Sequence, residues 1–336
     1  MAEDNRESRN RKLKRKRIRR MRRRIKRTVY IIAAGLVMIM LIGIFGGRKE
    51  AKDNAKGNQT EKNTNTEMSR EETEKERKQR QLEEKQKQIE KVLSEDVYGE
   101  QLTVLYKKYP EVEQILLNRG SYPDWLIEYF VTHAEAVEWV VNYPEYMAKS
   151  ADEINNTALE TVDLKDYYVR RNIPIYYQWN LEWGYASYGN GTIAVEGCGP
   201  TCLSMVATGL TGDTSLTPKR VGDMSVASGY YAEEFGTDWV MMTEGAAQLG
   251  LRSNQIVNNW SVNSILAELQ AGHPIICSMG AGDFTNTGHF VVLTGLSEDG
   301  KIILNDPNSK INTRKKWNPQ TILDQMEGAW VFSVME

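Results

Sequence analysis

Apolar residues are sparse at the amino end, and then twenty uncharged residues, TVYIIAAGLVMIMLIGIFGG (Thr28–Gly47), run without a break. At a rise of about 1.5 Å per residue the run matches a hydrocarbon core of about 30 Å and predicts one transmembrane helix. A buried core helix of this length would carry a polar face, and a cleavable signal peptide would end in an Ala-x-Ala-like site, which GIFGGRKEAKD lacks. From 48 to about 66 there is no apolar periodicity, which predicts a disordered spacer. Between Glu71 and Leu93 helix formers carry i, i+4 charge pairs, but the apolar positions are only Leu82, Ile89, Val92 and Leu93. That pattern predicts a solvated helix or a weak coiled coil, grouped with the spacer as residues 48–95.

Beyond it, Val112, Ile115 and Leu116, then Trp125, Leu126, Tyr129 and Phe130, then Val137, Val140 and Val141 recur at i, i+3, i+4 spacing between Tyr-Pro pairs. Three or four short amphipathic helices are expected within a helical segment spanning 96–160, acting as a structural cap on the C-terminal domain rather than as a binding module of its own. From 163 to 336 the pattern shifts to short β-rich runs, HPIICSMG, GHFVVLTGL, KIILNDP and AWVFSVM, separated by Gly, Asn and Asp turns. An antiparallel sheet is expected, with one helix at Pro200–Leu210 and another at 239–249, on a length ample for one core.

Charge gives the apolar run a direction. The formal net charge of -2 conceals fifteen Lys or Arg and three acids in residues 1–27, so this tail carries +12 and the remainder -14. A basic block next to an apolar span keeps the N-terminus cytoplasmic and sends everything after Arg48 across the membrane, so Thr28–Gly47 reads as a signal anchor. Nucleic-acid binding is the rival reading of the tail, but orientation and contact with anionic headgroups account for it more simply, and no nucleic-acid partner is expected. Three cysteines are too few and too odd in number for a disulfide framework. With no CxxC pair, no HExxH and no phosphate-binding glycine loop, neither a metal nor a cofactor is expected.

Two of the cysteines fall in GCGPTCLSMVATGL. Cys198 lies at the mouth of a helix, where unpaired N–H groups and the macrodipole favour a thiolate over a free thiol with a pKa of about 8.5. Cys202, one turn inside, reads as an inert buried thiol, and i, i+4 on one helix is a poor disulfide geometry. A nucleophilic thiol also needs a base, and the chain has three histidines: His133 in the helical segment, His273 in AGHPII and His289 in NTGHFVVLTG. His289 opens a strand after the Gly-rich loop MGAGDFTNTG. A hairpin through SEDGK would bring Asp306 of KIILNDPNS to the same end, where an acceptor can fix the imidazole tautomer. Asn305 and Asn308 compete for that role, and Asp before Pro is also a plain turn former.

Taken together, PIYYQWNLEWGYASYGNGTIAVEGCGPTCLSMV, GTDWVMMTEGAAQLGL, GHPIICSMGAGDFTNTGHFVVLTGL and ILNDPNS resemble the exported bacterial relatives of the bacteriocin-processing (double-glycine) cysteine peptidases, within the papain-like group. The likeness covers about Ile173 to the C-terminus. It implies an α+β, papain-like fold with the catalytic helix packed on an antiparallel sheet. It further implies Cys198 as nucleophile, His289 as general base, Asp306 as its orienting group and Gln178 as oxyanion donor, although Gln178 stands twenty residues before the cysteine, a wider gap than in papain. Cys202 falls where such sequences commonly have a small residue. The implied chemistry is peptide hydrolysis through a thioester by a membrane-anchored, extracytoplasmic enzyme. Double-glycine peptidases proper are fused to transporters and face the cytoplasm, so leader processing is not expected here. Alternatives are a cell-wall peptide hydrolase or transamidase with the same triad, or an idle surface module that binds wall peptide or a partner. The aromatic cluster Tyr176, Tyr177, Trp179, Trp183, Tyr185 and Tyr188 is expected to pack rather than to form a ligand platform.

Overall fold

A computed structural model of the chain describes residues 61–160, 162–167, 169, 172–233, 236–255 and 260–335. The basic tail, the apolar run Thr28–Gly47 and the first part of the spacer lie outside the described residues. Among the described residues no helix is long and apolar enough to cross a membrane. The chain divides into two compact units, Met1–Lys108 and Tyr109–Glu336.

In the first unit, α1 (Glu61–Glu95) is followed by α2 (Gly99–Lys108). α1 starts earlier than the expected end of the spacer, because EKNTNTEMSREE contains no Gly or Pro to stop a helix that the charged stretch after it propagates. Its surface carries i, i+4 pairs such as Glu74–Lys78, at 2.8 Å. A Cβ at Gly99 would stand 2.0 Å from Leu93 O, so only glycine lets α2 begin this close to the end of α1. The expected helical segment is therefore divided, with its first helix belonging to the first unit.

The second unit opens with α3 (Val112–Leu117), α4 (Asp124–Thr132), α5 (Val137–Val141), α6 (Tyr143–Met147) and α7 (Ala151–Glu160). Pro110, Pro123 and Pro144 keep them short. Their apolar stripes are largely buried, with Tyr129 and Val137 half-buried and Trp125 exposed, Ile127 taking an inward position instead. This helical array packs on the sheet-bearing part, where Tyr185 Oη donates to Trp139 O and the Tyr185 ring stacks on those of Trp139 and Tyr146.

Two small hairpins, β1 (Ser187–Tyr188) with β2 (Gly191–Thr192) and β3 (Tyr231–Ala232) with β4 (Gly236–Thr237), flank α8 (Ile193–Glu196), α9 (Cys198–Thr211) and α10 (Pro218–Ala227). After α11 (Glu244–Gln248), β5 (Leu251–Gln255) and α12 (Val262–Gln270) come β6 (Ile275–Met279), β7 (His289–Leu296) and β8 (Ile302–Asn305). Then α13 (Lys310–Arg314) and α14 (Pro319–Gln325) lead into β9 (Met326–Val334). The five long strands form one antiparallel sheet in the order β5-β9-β6-β7-β8.

The central strand β6 is buried at every position, which means both faces of the sheet are covered. On one face Ile276, Phe290, Val292 and Trp330 meet Cys202, Leu203 and Val206 of α9. On the other, Ile275, Cys277, Val291 and Leu293 meet Ile265 and Leu269 of α12 together with Trp317 and Ile322. α12, with its Ser261/Ser264 capping box, and α10 both lay unrecognised in the sequence. The helix expected at 239–249 is divided at Thr243 into a 3-10 turn, Trp239–Met242, and α11. Five of the six clustered aromatics, Tyr176, Trp179, Trp183, Tyr185 and Tyr188, are buried, and the sixth, Tyr177, is half-buried and stacked on Trp179.

Candidate active site

The site begins with a break between two helices. Gly197 (φ -88°, ψ 24°) ends α8, and α9 restarts at Cys198, with Thr201 N–H donating to Gly197 O at 3.0 Å. No backbone bond among the described residues closes from Cys198 N–H onto Ala194 O, four residues earlier. Cys198 thus heads a fourteen-residue helix with the unpaired amides of a first turn around it. Pro200 also sits in that turn, where its missing N–H costs nothing. Gly199 is required by close packing: a Cβ there would stand 2.5 Å from Thr237 Oγ1, which hydrogen-bonds Tyr188 Oη at 2.8 Å. Gly199→Ala is expected to lower stability by about 1–3 kcal/mol through overpacking and to slow Cys198 alkylation, as read by thermal melting and per-cysteine mass spectrometry.

β7 and β8 pair with Val292 opposite Asn305, so His289 at the start of one strand and Asp306 just past the other share an end of the sheet. His289 Nε2 lies 2.8 Å from Asp306 Oδ1, both groups being buried. With Nε2 engaged there, Nδ1 is the nitrogen left to serve Cys198, whose thiol lies close enough to feel the imidazole. Burial alone would raise the Cys198 pKa, but the neighbouring His289 imidazole and its charge, with the backbone at Phe290 and Gly199, outweigh it and lower it. Burial alone would lower the His289 pKa, yet the Asp306 carboxylate and the Cys198 thiolate push it up to about 10. Burial likewise opposes ionisation of Asp306, and His289, Asn312 and Asn308 reverse this and hold its carboxyl below the usual range. The arrangement favours a thiolate–imidazolium pair over a neutral thiol and imidazole.

The turn after β8 is built around Asp306. Asn308 N–H donates to Oδ1 and Asn312 Nδ2 to Oδ2, each at 2.8 Å. Neither rival acceptor faces His289. Asn305 Nδ2 donates to the carbonyls of Ile173 and Pro174, and Asn308 Oδ1 accepts from Tyr129 Oη. Gln178 is buried between the two ends of the site: its Nε2 donates to Ala194 O at 2.6 Å and its N–H to Pro307 O at 2.8 Å. Its Oε1 has no hydrogen-bond partner among the described residues.

Cys202 is fully buried one turn into α9, with Sγ donating to Phe290 O at 3.3 Å, and burial drives its pKa far up. Cys277 lies in the opposite core and is raised for the same reason. His273 pairs with Glu268 at a half-exposed corner, 2.8 Å apart. His133 is stacked on Tyr129 and close enough to feel the charges of His289 and Asp306, with burial as the largest effect lowering its pKa. Of the groups around Asp306, Asn312 had a faint sequence signal in the Asn-rich run NDPNSKIN. Tyr129 had none, because it lies in a different part of the chain. Among the described residues no cluster of three or more His, Cys, Asp or Glu could hold a metal ion.

No curated protein matches the chain. Residues 170–333, the segment that carries Cys198, His289, Asp306 and Gln178, match the model of the Peptidase_C39 like family.

Proposed function

We propose that the C-terminal domain is an active cysteine peptidase that cleaves peptide bonds by acyl transfer, and the observation that carries this reading is the buried His289–Asp306 pair, hydrogen-bonded at 2.8 Å and close enough to Cys198 at the start of α9 to lower its pKa. The Cys198 thiolate attacks the scissile carbonyl. His289, held as imidazolium, gives its proton to the departing amine, leaving a thioester; the neutral ring then takes a proton from water as that water attacks the thioester and releases Cys198. Asp306 fixes the ring and stabilises its charged form. The oxyanion falls to Cys198 N–H, which α8 leaves unclaimed, and to the second Nε2–H of Gln178, each contributing about 3 kcal/mol in comparable sites.

The experiment is labelling with an electrophilic thiol probe, alongside turnover of a fluorogenic peptide library and of isolated muropeptides. Labelling and turnover are expected in the wild-type chain and in Cys202→Ala, and neither in Cys198→Ala. Turnover that survives in Cys198→Ala would sink the assignment.

The charge step between the basic tail and Thr28–Gly47 supports a location as well. In this reading the run anchors the protein once in the membrane, and the peptidase domain lies outside the cytoplasm, where its substrates are extracytoplasmic or cell-wall peptides. Protease shaving of intact cells is expected to remove everything beyond about residue 100 while sparing the tail; a protected C-terminus would contradict this topology.

A further inference from the structure

We propose that Tyr129, which lies outside the family-matched segment, is a positioning residue that keeps the Cys198 backbone amide free and ties it to the turn carrying Asp306. The proposal rests on the cysteine-peptidase reading. Its starting point is the Ala194 carbonyl, the group that would accept Cys198 N–H if α8 continued into α9. A carbonyl oxygen has two lone pairs, and here both have donors: Gln178 Nε2 at 2.6 Å and Tyr129 Oη at 3.0 Å. With both occupied, nothing draws Cys198 N–H back into a helical bond, and the amide stays available to an oxyanion.

The same hydroxyl reaches Asn308 Oδ1 at 3.3 Å, so its one proton is shared between two acceptors. Asn308 in turn donates its backbone N–H to Asp306 Oδ1, the oxygen that His289 Nε2 also contacts. One side chain therefore spans the two ends of the constellation, the helix break before the thiol and the carboxylate behind the imidazole. Its own placement is fixed by the ring of His133, stacked at 4.3 Å, and by Trp139 edge-on at 5.6 Å. Glu135 supplies a second clasp on the same turn, accepting from Ser309 Oγ at 2.8 Å and Ile311 N at 3.3 Å. The helical array is on this account part of the catalytic apparatus and not an independent module.

The test is Tyr129→Phe in the full-length chain, which removes the hydroxyl and keeps the ring stack. Kinetics are measured on the best-cleaved member of the peptide library, together with inhibition by the aldehyde of the same sequence, whose adduct with Cys198 places an oxygen in the oxyanion position. We expect kcat to fall by about 10- to 100-fold, KM to stay within about twofold, and aldehyde affinity to weaken in parallel with kcat. The melting temperature should stay near that of the wild type. Asn308→Ala, which keeps the backbone contact to Asp306 but removes the hydroxyl's second acceptor, is expected to be non-additive with Tyr129→Phe. Unchanged kcat and aldehyde affinity in Tyr129→Phe would overturn the proposal, as would a loss of activity that merely follows a loss of folded protein. Failure of the underlying reading looks different: wild-type Cys198 would then titrate as an ordinary thiol and no peptide would be cleaved.

Discussion

His289→Ala is expected to reduce kcat/KM by a factor of about a thousand or more, since removing one member of a catalytic unit costs nearly as much as removing all of it. The structure gives two reasons for so large an effect. Without the imidazolium, the Cys198 thiol keeps only the helix terminus and its backbone contacts against burial, so its pKa returns toward or above that of a free thiol. The proton needed by the leaving amine also has no other source in contact with the thiol, because His133 and His273 are placed elsewhere. His273→Ala should leave turnover near wild type. Steady-state kinetics on purified variants, with melting curves to show that they are folded, check both statements.

The second large effect is expected at Asp306. Its carboxylate is 1 % exposed and accepts from His289, Asn308 and Asn312, so Asp306→Ala strands a buried ring and two half-buried donors. Breaking one side of such a pair costs about 3–5 kcal/mol, and turnover should fall by about 100-fold or more, because the ring loses both its orientation and the charge that keeps it protonated. Asp306→Asn separates the two losses. It keeps an acceptor and most of the packing but removes the charge, so the His289 pKa should drop and the alkaline limb of the pH–activity profile should move to lower pH.

In the intact pair, activity rises with pH through the lowered Cys198 pKa and falls through that of His289, near 10. The stability contributed by His289 is complete below its unfolded value of about 6.5 and is lost as pH rises through about 10. That contributed by Asp306 is present above about 3.9 and is lost as pH falls through its lowered native value. Denaturant titrations of the wild type and of Asp306→Asn across this range measure both limbs.

Much of this was legible in the chain because the signals were local. Gly-Cys-Gly-Pro marks a helix mouth, and seventeen residues from His289 to Asp306 bridged by SEDGK is the span of one hairpin, so the turn brings both to one end of the sheet, while the folded chain alone distinguishes Asp306 from Asn305 and Asn308. β6, β7, β8 and β9 read as strands because β-branched residues cluster between turn formers. What escaped was set by tertiary contact. Pro218–Ala227 has a weak apolar stripe and is stabilised by packing on α9, and Val262–Gln270 covers the second face of a sheet whose burial no single strand announces. Tyr129 illustrates the limit most clearly. Its spacing marked it only as part of an amphipathic face, while its hydroxyl meets Ala194 and Asn308, 65 and 179 residues further along. Gln178 was reached through the resemblance alone, and its place between Ala194 and Pro307 became visible only in the folded chain.

The central claim, that Cys198 and His289 form an ion pair at the head of α9, is tested most directly by iodoacetamide labelling against pH, resolved for each cysteine by mass spectrometry. In the folded chain Cys198 is expected to alkylate well below pH 8 and to lose that reactivity in His289→Ala, whereas Cys202 and Cys277 label only on unfolding. Equal labelling of Cys198 and Cys202, with a midpoint near the free-thiol value of about 8.5, would contradict the ion pair and the peptidase chemistry built on it.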